Sequence, residues 1–337
     1  MRRVRPHAPL PAGCSPLLSL MAWGILAVEV GCALPPASEW NGLDTSTTAV
    51  TGGSILFVGN SFTHGSDAPI DAITGAPVAD TTGPDVGGVP GIFKKLTVQA
   101  GLSFDVSRAT ANGQSLGWHY ANQPSFIGQT TWDTVVLQEQ STTPLPTERG
   151  GSPARFMDAA RALRALVLSK NPDAKLFLYE TWASPASVDT QGYPAGTPGL
   201  QAMQNDLRDA YFKASRELGF TGVARVGDGF LRAVDQGLAD PNPAEGLSSG
   251  MFNLWNADSR HASEYGSYLS AVVLFAKITQ VDPRGLATGT GSAAADLGIR
   301  ASEAGDLHRI AYEIALLADP VAAHLRLHMA DASRRKR

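Results

Sequence analysis

The sequence predicts an α/β protein whose parallel sheet is covered by helices on both faces. Short apolar or β-branched runs alternate along the chain with longer runs of helical period, and each short run is bounded by polar residues or glycine. Strict alternation of strand and helix needs crossover connections, which favour a parallel sheet. The five predicted strands are residues 55–58, 104–109, 134–137, 175–179 and 223–226.

Helical periodicity occupies most of the remaining chain, and Pro320 is expected to stop the last helix. Three segments rich in turn-forming residues are expected to be long loops that shape a substrate pocket, since such loops in compact domains are often functional. These loops are residues 64–90, 184–199 and 240–250. The predicted helices are residues 91–100, 153–169, 200–218, 229–237, 262–278 and 303–318.

Residues 1–38 have the pattern of an export signal. Residues 1–5 are basic, and the apolar stretch 16–28 that follows is too short for a permanent membrane helix, which needs roughly 20 residues. Cys32 suggests a lipid anchor, whereas Glu29 stands where lipoprotein signals usually carry an apolar residue, so ordinary cleavage and lipidation both stay open. We therefore expect an exported protein, periplasmic, anchored to the outer membrane or secreted, that touches membrane only through such an anchor.

Charge and cysteine content exclude several classes of function. The net charge of -4 and pI of about 6.0 argue against a nucleic-acid partner, which would call for a concentrated basic face. The basic run at 334–337 is interpreted as part of a solvated tail, residues 321–337. Both cysteines, Cys14 and Cys32, lie in the predicted signal, so the main domain, residues 50–320, can have neither a disulfide framework nor a thiolate metal site.

A serine at the end of the first strand and a carboxylate–imidazole pair far along the chain are the most informative positions. Ser61 follows the first predicted strand, and ligand sites in parallel sheets lie beyond the carboxyl ends of the strands. A hydroxyl becomes a good nucleophile when an adjacent base takes its proton and a third group orients that base. His261 and Asp258 can fill these roles if they share one face of a first helical turn. The alternative is that Asp258 and Ser259 merely cap the helix that begins near His261.

Four blocks of the sequence resemble those of the SGNH, or GDSL-type, hydrolases. GNSFT (59–63) follows the first predicted strand, NGQ (112–114) the second and LQEQS (137–141) the third, and DSRH (258–261) lies near the end. Their order and their placement after strands both match. Together with YETWA and the longer run DSRHASEYGSYLSA, they are similar to a bacterial branch of that superfamily known mainly as a domain of unknown function. The resemblance covers about residues 53–280.

The resemblance implies a three-layer α/β/α flavodoxin-like fold and ester hydrolysis through an acyl-enzyme, with no cofactor and no metal ion. It implies that Ser61 is the nucleophile, His261 the base and Asp258 the residue that orients the base. It also implies an oxyanion hole that includes the backbone N–H groups of Ser61 and Gly113.

The third oxyanion donor is where the sequence departs from the superfamily, which usually has asparagine in the third block. Here the strand ends in Gln138-Glu139-Gln140. Carbohydrate acetylesterases of the superfamily carry glutamine at the matching place, so Gln138 is the predicted donor, with Gln140 left open. An amide aimed at the developing oxyanion can stabilise a transition state by about 2.7–4 kcal/mol.

These observations predict an exported serine esterase that hydrolyses a small acyl ester, acetyl above all, on a carbohydrate or another small molecule. Asn60, Gln140, Glu180 and Trp182 are candidate pocket residues, and Trp182 could stack on a sugar ring or pack beneath a loop. The alternative is an SGNH-fold binding protein of the cell envelope whose oxyanion hole has decayed. Fold alone does not decide between them.

Overall fold

The computed structural model describes residues 49–65, 70, 73, 79–80, 87–129 and 132–317. The predicted export signal with Cys32, the basic tail and most of the loop predicted at 64–90 lie outside the described residues. None of the helices in the described part is long and apolar enough to cross a membrane.

The sheet is parallel throughout, and the predicted fold class is confirmed. The strand order is β2-β3-β1-β4-β5-β6. Strand β2 has only two residues and extends one edge from a segment predicted as a loop; the other five are the predicted strands, in the flavodoxin-like order 2-1-3-4-5. The strands are β1 (Gly52–Gly59), β2 (Ala79–Asp80), β3 (Ser103–Thr110), β4 (Thr134–Leu137), β5 (Lys175–Tyr179) and β6 (Gly222–Ala224).

Strand β6 is shorter than predicted. It ends at Ala224, and Val226 begins the next helix, where its side chain is fully buried. A β-branched residue that follows a strand therefore belongs to the apolar face of a helix here, a distinction that a short apolar run does not reveal.

Helices cover both faces of the sheet. The longer ones confirm the predicted set within a few residues, while the short ones fall in segments where a few residues give no readable period. The helices are α1 (Ser61–His64), α2 (Gly88–Gln99), α3 (Leu116–Asn122), α4 (Pro124–Ile127), α5 (Pro153–Leu168), α6 (Pro185–Thr190), α7 (Thr197–Leu218), α8 (Val226–Asp235), α9 (Glu264–Thr279), α10 (Ala293–Asp296) and α11 (Ala301–Tyr312). A short π-helical turn, Glu313–Leu317, continues α11.

Strand β1 runs through the middle of the core. Ile55 and Phe57 belong to the cluster formed with α2, α8, α9 and α11, whereas Leu56 and Val58 belong to the cluster formed with α3, α5 and α7. All four side chains are completely buried, which is why this strand reads as a continuous apolar run. Burying each such side chain contributes about 1.5–3 kcal/mol.

The fold brings the carboxyl ends of β1 and β4 together. These neighbouring strands lie where the strand order reverses, because the chain leaves β1 toward β3 on one side and later returns to β4 on the other. A crevice at such a switch point is the usual ligand site of an open α/β sheet. Both Ser61 and the segment 138–141 follow strands that end there.

Candidate active site

Asn60 fixes the turn that presents Ser61. Its side-chain Oδ1 accepts a hydrogen bond from the Phe62 N–H at 3.1 Å and so caps α1, a four-residue helix whose first residue is Ser61. Its Nδ2 donates to the Gln114 carbonyl at 3.1 Å, which ties the nucleophile turn to the loop after β3. Asn60, a candidate pocket residue, is among the residues that line the cavity described below.

Gln138 lies beneath this turn, and the prediction that it completes the oxyanion hole is wrong. Its Oε1 accepts hydrogen bonds from the Asn60 N–H at 3.0 Å and the Thr63 hydroxyl at 2.9 Å, while its Nε2 donates to the Glu139 carbonyl at 2.5 Å. The side chain is fully buried and does not line the cavity. A Cβ at Gly59 would come within 2.5 Å of the Gln138 Oε1, so this close packing also requires glycine before Asn60.

The predicted nucleophile, base and orienting carboxylate lie side by side. Ser61 Oγ is 2.9 Å from His261 Nε2, and His261 Nδ1 is 2.5 Å from Asp258 Oδ2. A carboxylate accepts from Nδ1–H, so this contact selects the tautomer that leaves Nε2 free to accept the serine proton. The arrangement meets the geometric requirement for an activated serine nucleophile.

The segment 256–261, called the Asp258 loop below, is not the first turn of a helix as predicted. Helix α9 begins at Glu264 and is capped by Ser263, so the alternative that Asp258 and Ser259 cap it is wrong as well. Instead Asp258 Oδ1 accepts from the backbone N–H groups of Arg260 at 3.0 Å and His261 at 2.9 Å, and Ser259 adopts a φ of 54°. A side-chain-stabilised turn thus brings the two residues together.

The same contacts set the charge of Asp258. Partial burial alone would raise the pKa of its carboxyl, but the hydrogen bonds from the His261 side chain and from two backbone N–H groups outweigh burial and hold the pKa below its ordinary value. Asp258 is therefore a carboxylate at neutral pH, as an orienting partner for an imidazole must be.

A cavity of about 470 Å³ opens over Ser61 and His261. Most of its lining side chains are polar and come from the four sequence blocks or their immediate neighbours. The lining residues are Asn60, Ser61, Phe62, Gly65, Asn112, Gly113, Gln140, Ser141, Asp258, Arg260, His261, Ala262 and Ser267.

Two backbone N–H groups in this lining are available to an oxyanion. Among the described residues, the N–H groups of Ser61 and Gly113 donate no hydrogen bond. Gly113 has a φ of +72°, and a Cβ there would meet nothing within 4 Å, so its backbone conformation rather than crowding calls for glycine. Both N–H groups lie in residues predicted for the oxyanion hole.

Gln140 supplies a side-chain amide to the cavity in place of Gln138. Its Oε1 accepts from the backbone N–H groups of Thr142 and Thr143, both at 3.1 Å, and from their hydroxyls at 3.2 and 3.0 Å. Backbone N–H groups can only donate, so these contacts identify Oε1 and leave Nε2 as the donor end. The described contact of Nε2 is a long one, 3.5 Å to the Ser141 hydroxyl.

Glu139, between the two glutamines, is a buried carboxyl behind the cavity. Its Oε1 accepts from the Leu116 N–H at 3.1 Å and from the Gln140 N–H at 2.6 Å, and so connects the start of α3 with the Gln140 backbone. Burial raises the pKa of Glu139 to about 7, against the opposing effects of those two N–H groups and of the Arg155 charge.

The raised pKa predicts that ionising Glu139 destabilises the fold. Between the ordinary value of 4.5 and about 7, the folded protein holds a proton that the unfolded chain has lost, so the free energy of unfolding falls as pH rises. A pKa difference between 4.5 and about 7 corresponds to about 3 kcal/mol of folding stability. This stability is fully present below the pKa of the unfolded chain, and it is lost as pH rises through the pKa of the folded protein. Glu139→Gln cannot ionise and should not lose this stability. The free energy of unfolding of the variant minus that of the wild type, measured by urea denaturation, should therefore rise by about 2–3 kcal/mol from about pH 5 to about pH 8. A difference between the two proteins that stays constant with pH would contradict this expectation.

Glu180 and Trp182, both predicted as possible pocket residues, do not line the cavity. Glu180 is fully buried in a polar cluster, where its Oε1 accepts from Gln204 Nε2 at 2.5 Å and from the Asp228 N–H at 3.2 Å. Burial, and then repulsion by Asp228, raises the pKa of Glu180 well above its ordinary value. Trp182 is 1% exposed, so its indole packs in the protein interior and has no free face for a sugar ring.

The prediction that 184–199 is a long loop is wrong, because this segment contains α6 (Pro185–Thr190) and the start of α7. Residues of this segment and of the predicted loop 240–250 help to line a second cavity of about 440 Å³ beside the Asp258 loop. Asp258 borders both cavities. Among the described residues, no group of three or more His, Cys, Asp or Glu side chains is placed to hold a metal ion.

Asn112 and Arg260 line the cavity without having been given a role from the sequence. Asn112 belongs to the second block, and Arg260 lies between the two predicted catalytic residues, so proximity to the blocks was the available signal. Neither residue stands at a spacing from other polar residues that would have identified it as functional.

The four blocks that resemble those of the SGNH hydrolases lie at one edge of a flavodoxin-like parallel sheet, so the predicted resemblance is confirmed at the level of fold. No protein-family model matches the sequence, and a comparison with curated proteins found no match. Among solved structures, the chain is similar to a DUF4886 family protein from Bacteroides uniformis, with 15% identity and a TM-score of 0.55 over 80% of this chain and 97% of that one.

Two further solved structures are similar at lower TM-scores. A lipase/acylhydrolase from Enterococcus faecalis has 14% identity and a TM-score of 0.44, over 67% of this chain and 95% of that one. A variant of an acetyl xylan esterase from Geobacillus stearothermophilus has 15% identity and a TM-score of 0.41, over 75% of this chain and 97% of that one.

Proposed function

We propose that this protein is an exported serine esterase that hydrolyses a small acyl ester, with acetyl esters of carbohydrates as the preferred class. The observation that carries the proposal is the continuous chain from Ser61 Oγ through His261 to Asp258, with separations of 2.9 and 2.5 Å, at the floor of a polar cavity. A site that only binds a ligand does not require Ser61 and Asp258 both to lie within hydrogen-bond reach of His261.

In the proposed reaction, His261 Nε2 accepts the proton of Ser61 Oγ as that oxygen attacks the carbonyl carbon of the ester. Asp258 keeps the imidazole oriented and stabilises its charged form. The tetrahedral intermediate carries an oxyanion that the N–H groups of Ser61 and Gly113, together with Gln140 Nε2, would bind.

Collapse of that intermediate breaks the bond to the alcohol, which leaves with the proton from His261 while the acyl group stays on Ser61. Water then attacks the acyl-enzyme with His261 again as the base. The products are a carboxylic acid and the free serine, so no co-reactant other than water is consumed.

The cavity favours a small acyl group on a polar alcohol. Amide, hydroxyl and charged side chains dominate its lining, among them Asn112, Gln140, Ser141 and Arg260, and such groups bind hydroxyl-rich molecules better than long alkyl chains. Phe62 and Ala262 supply apolar contact beside the reactive serine, enough to pack against a methyl group. Export is proposed from the sequence pattern of residues 1–38.

The test is covalent labelling of the full-length protein with a serine-reactive alkyl phosphonate, followed by peptide mass spectrometry. We expect a single adduct on Ser61, formed in step with loss of p-nitrophenyl acetate hydrolysis, and no adduct in Ser61→Ala. A protein that neither hydrolyses acetyl, butyryl or sugar acetate esters nor reacts with the phosphonate would instead support the binding-protein alternative.

A further inference from the structure

Three aromatic rings form a continuous stack beneath the proposed active site. The rings of Phe62 and Trp182 lie 4.1 Å apart at an interplanar angle of 7°, and those of Trp182 and Phe230 lie 4.6 Å apart at 2°. All three side chains are buried, and they come from α1, the segment after β5 and α8. We call these three residues the aromatic stack.

The aromatic stack connects the two halves of the proposed catalytic machinery. Phe62 directly follows Ser61, and its ring also meets the His261 ring edge-on at a centroid distance of 5.5 Å. Trp182 Nε1 donates a hydrogen bond of 3.0 Å to the backbone carbonyl of Arg260, the residue before His261. One indole therefore touches the nucleophile turn with its face and the Asp258 loop with its N–H.

The Asp258 loop needs such an anchor. It belongs to neither a helix nor a strand, and Ser259 holds a positive φ that non-glycine residues rarely adopt. Asp258 and His261 are themselves partly exposed, so packing of their own side chains contributes little to holding the loop. Hydrogen bonds to the loop carbonyls from outside, at Arg260 from Trp182 and at Ser259 from the Ala186 N–H at 3.2 Å, oppose its movement.

We propose that Trp182 is a positioning residue for the hydrolysis, whose indole N–H and stacked ring together set the separation between Ser61 Oγ and His261 Nε2. This inference rests on the proposed function. Misplacement of reacting groups by about 1 Å can cost roughly 100-fold in rate, so an anchor that touches no substrate can still control turnover.

A structural role alone predicts something different. A buried indole N–H needs some acceptor, and Trp132 satisfies its own by donating to the Phe126 carbonyl at 3.1 Å. Trp132 is also buried, but it belongs to the other core cluster. It lies two residues before the start of β4, at the end of the sheet away from the cavity. It is thus a matched control, since replacing either tryptophan by phenylalanine removes one buried N–H···O=C hydrogen bond.

The experiment compares Trp182→Phe and Trp132→Phe in the full-length protein. We expect similar losses of Tm in the two variants, but a fall in kcat of roughly 10-fold with KM within about twofold in Trp182→Phe only. Phe230→Leu, which keeps the Trp182 N–H contact and removes the ring stacked on the other face of the indole, should lower kcat in the same way. Equal effects of Trp182→Phe and Trp132→Phe on kcat, or no effect of either, would overturn the inference.

Crystal structures of the variants separate this inference from the proposed function. In Trp182→Phe the Ser61 Oγ to His261 Nε2 separation should exceed hydrogen-bond length, about 3.5 Å, or the Asp258 loop should occupy more than one position, whereas Trp132→Phe should keep the wild-type contact. If the wild type proves inactive on every ester tested, the proposed function fails, and this comparison still decides whether Trp182 sets the separation. An unchanged contact in Trp182→Phe would refute the inference even in an active enzyme.

Discussion

Replacing His261 by alanine is expected to lower kcat for acetate ester hydrolysis by roughly 10⁴- to 10⁶-fold, because among the described residues His261 is the group placed to take the proton of Ser61. In the described part of the cavity, His261 Nε2 is the base within hydrogen-bond reach of Ser61 Oγ, at 2.9 Å. Ser61→Ala should cost a similar amount. Because the two residues act as one unit, the double variant should be no slower than the slower single variant.

The measurement is kcat and KM for p-nitrophenyl acetate, with added imidazole as a rescue control. Imidazole can enter the space left in His261→Ala and restore part of the proton transfer, but it cannot restore Ser61→Ala. Retention of more than about a tenth of wild-type kcat by His261→Ala would mean that another group acts as the base.

Five of the six described strands, and the proximity of Ser61, His261 and Asp258, could be predicted from the sequence for two physical reasons. Buried parallel strands read as continuous apolar runs, and the residues that follow them are forced to one edge of the sheet, as Ser61 is after β1. The grouping of Asp258 with His261 follows from their short separation in the chain. Two side chains three residues apart can form a hydrogen bond with each other in several kinds of local turn.

The turn itself could not be predicted. Asp258 holds it through side-chain contacts to two backbone N–H groups, and Ser259 accepts a positive φ, neither of which has a periodic signature. The predicted helix at 262–278 is α9, which begins two residues later, at Glu264. The error in the boundary was small, yet it changed the explanation of how the pair is assembled.

The wrong prediction that Gln138, and not Gln140, reaches the cavity has a different cause. Both residues alternate with Glu139 and so fall on the same side of an extended chain, and sequence alone does not say where the sheet stops. The Gln138 N–H still donates to the Val58 carbonyl at 2.9 Å, so residue 138 remains level with the sheet and its side chain is trapped under Asn60. The side chain of Gln140, two residues further along the chain, does reach the cavity.

Gln140→Glu should lower kcat by about 100- to 1,000-fold, the usual cost of losing one oxyanion donor. A carboxylate has almost the shape of the amide and can keep the four hydrogen bonds from Thr142 and Thr143, but it cannot donate at neutral pH and it repels the developing negative charge. KM should change little, because the interaction strengthens in the transition state.

Affinity for a transition-state analogue makes this prediction specific. A boronic acid that adds reversibly to Ser61 places a negatively charged oxygen where the oxyanion forms, so its affinity should fall in Gln140→Glu in proportion to kcat/KM, whereas binding of the neutral product alcohol should stay the same. Asn112→Asp is the matched comparison, since Asn112 also lines the cavity and is likewise exchanged for its isosteric acid. If Asn112→Asp weakened boronate binding and Gln140→Glu did not, the third oxyanion donor would be Asn112. The hydrogen bonds from Thr142 and Thr143 to Gln140 Oε1 would then only stabilise the conformation of the loop.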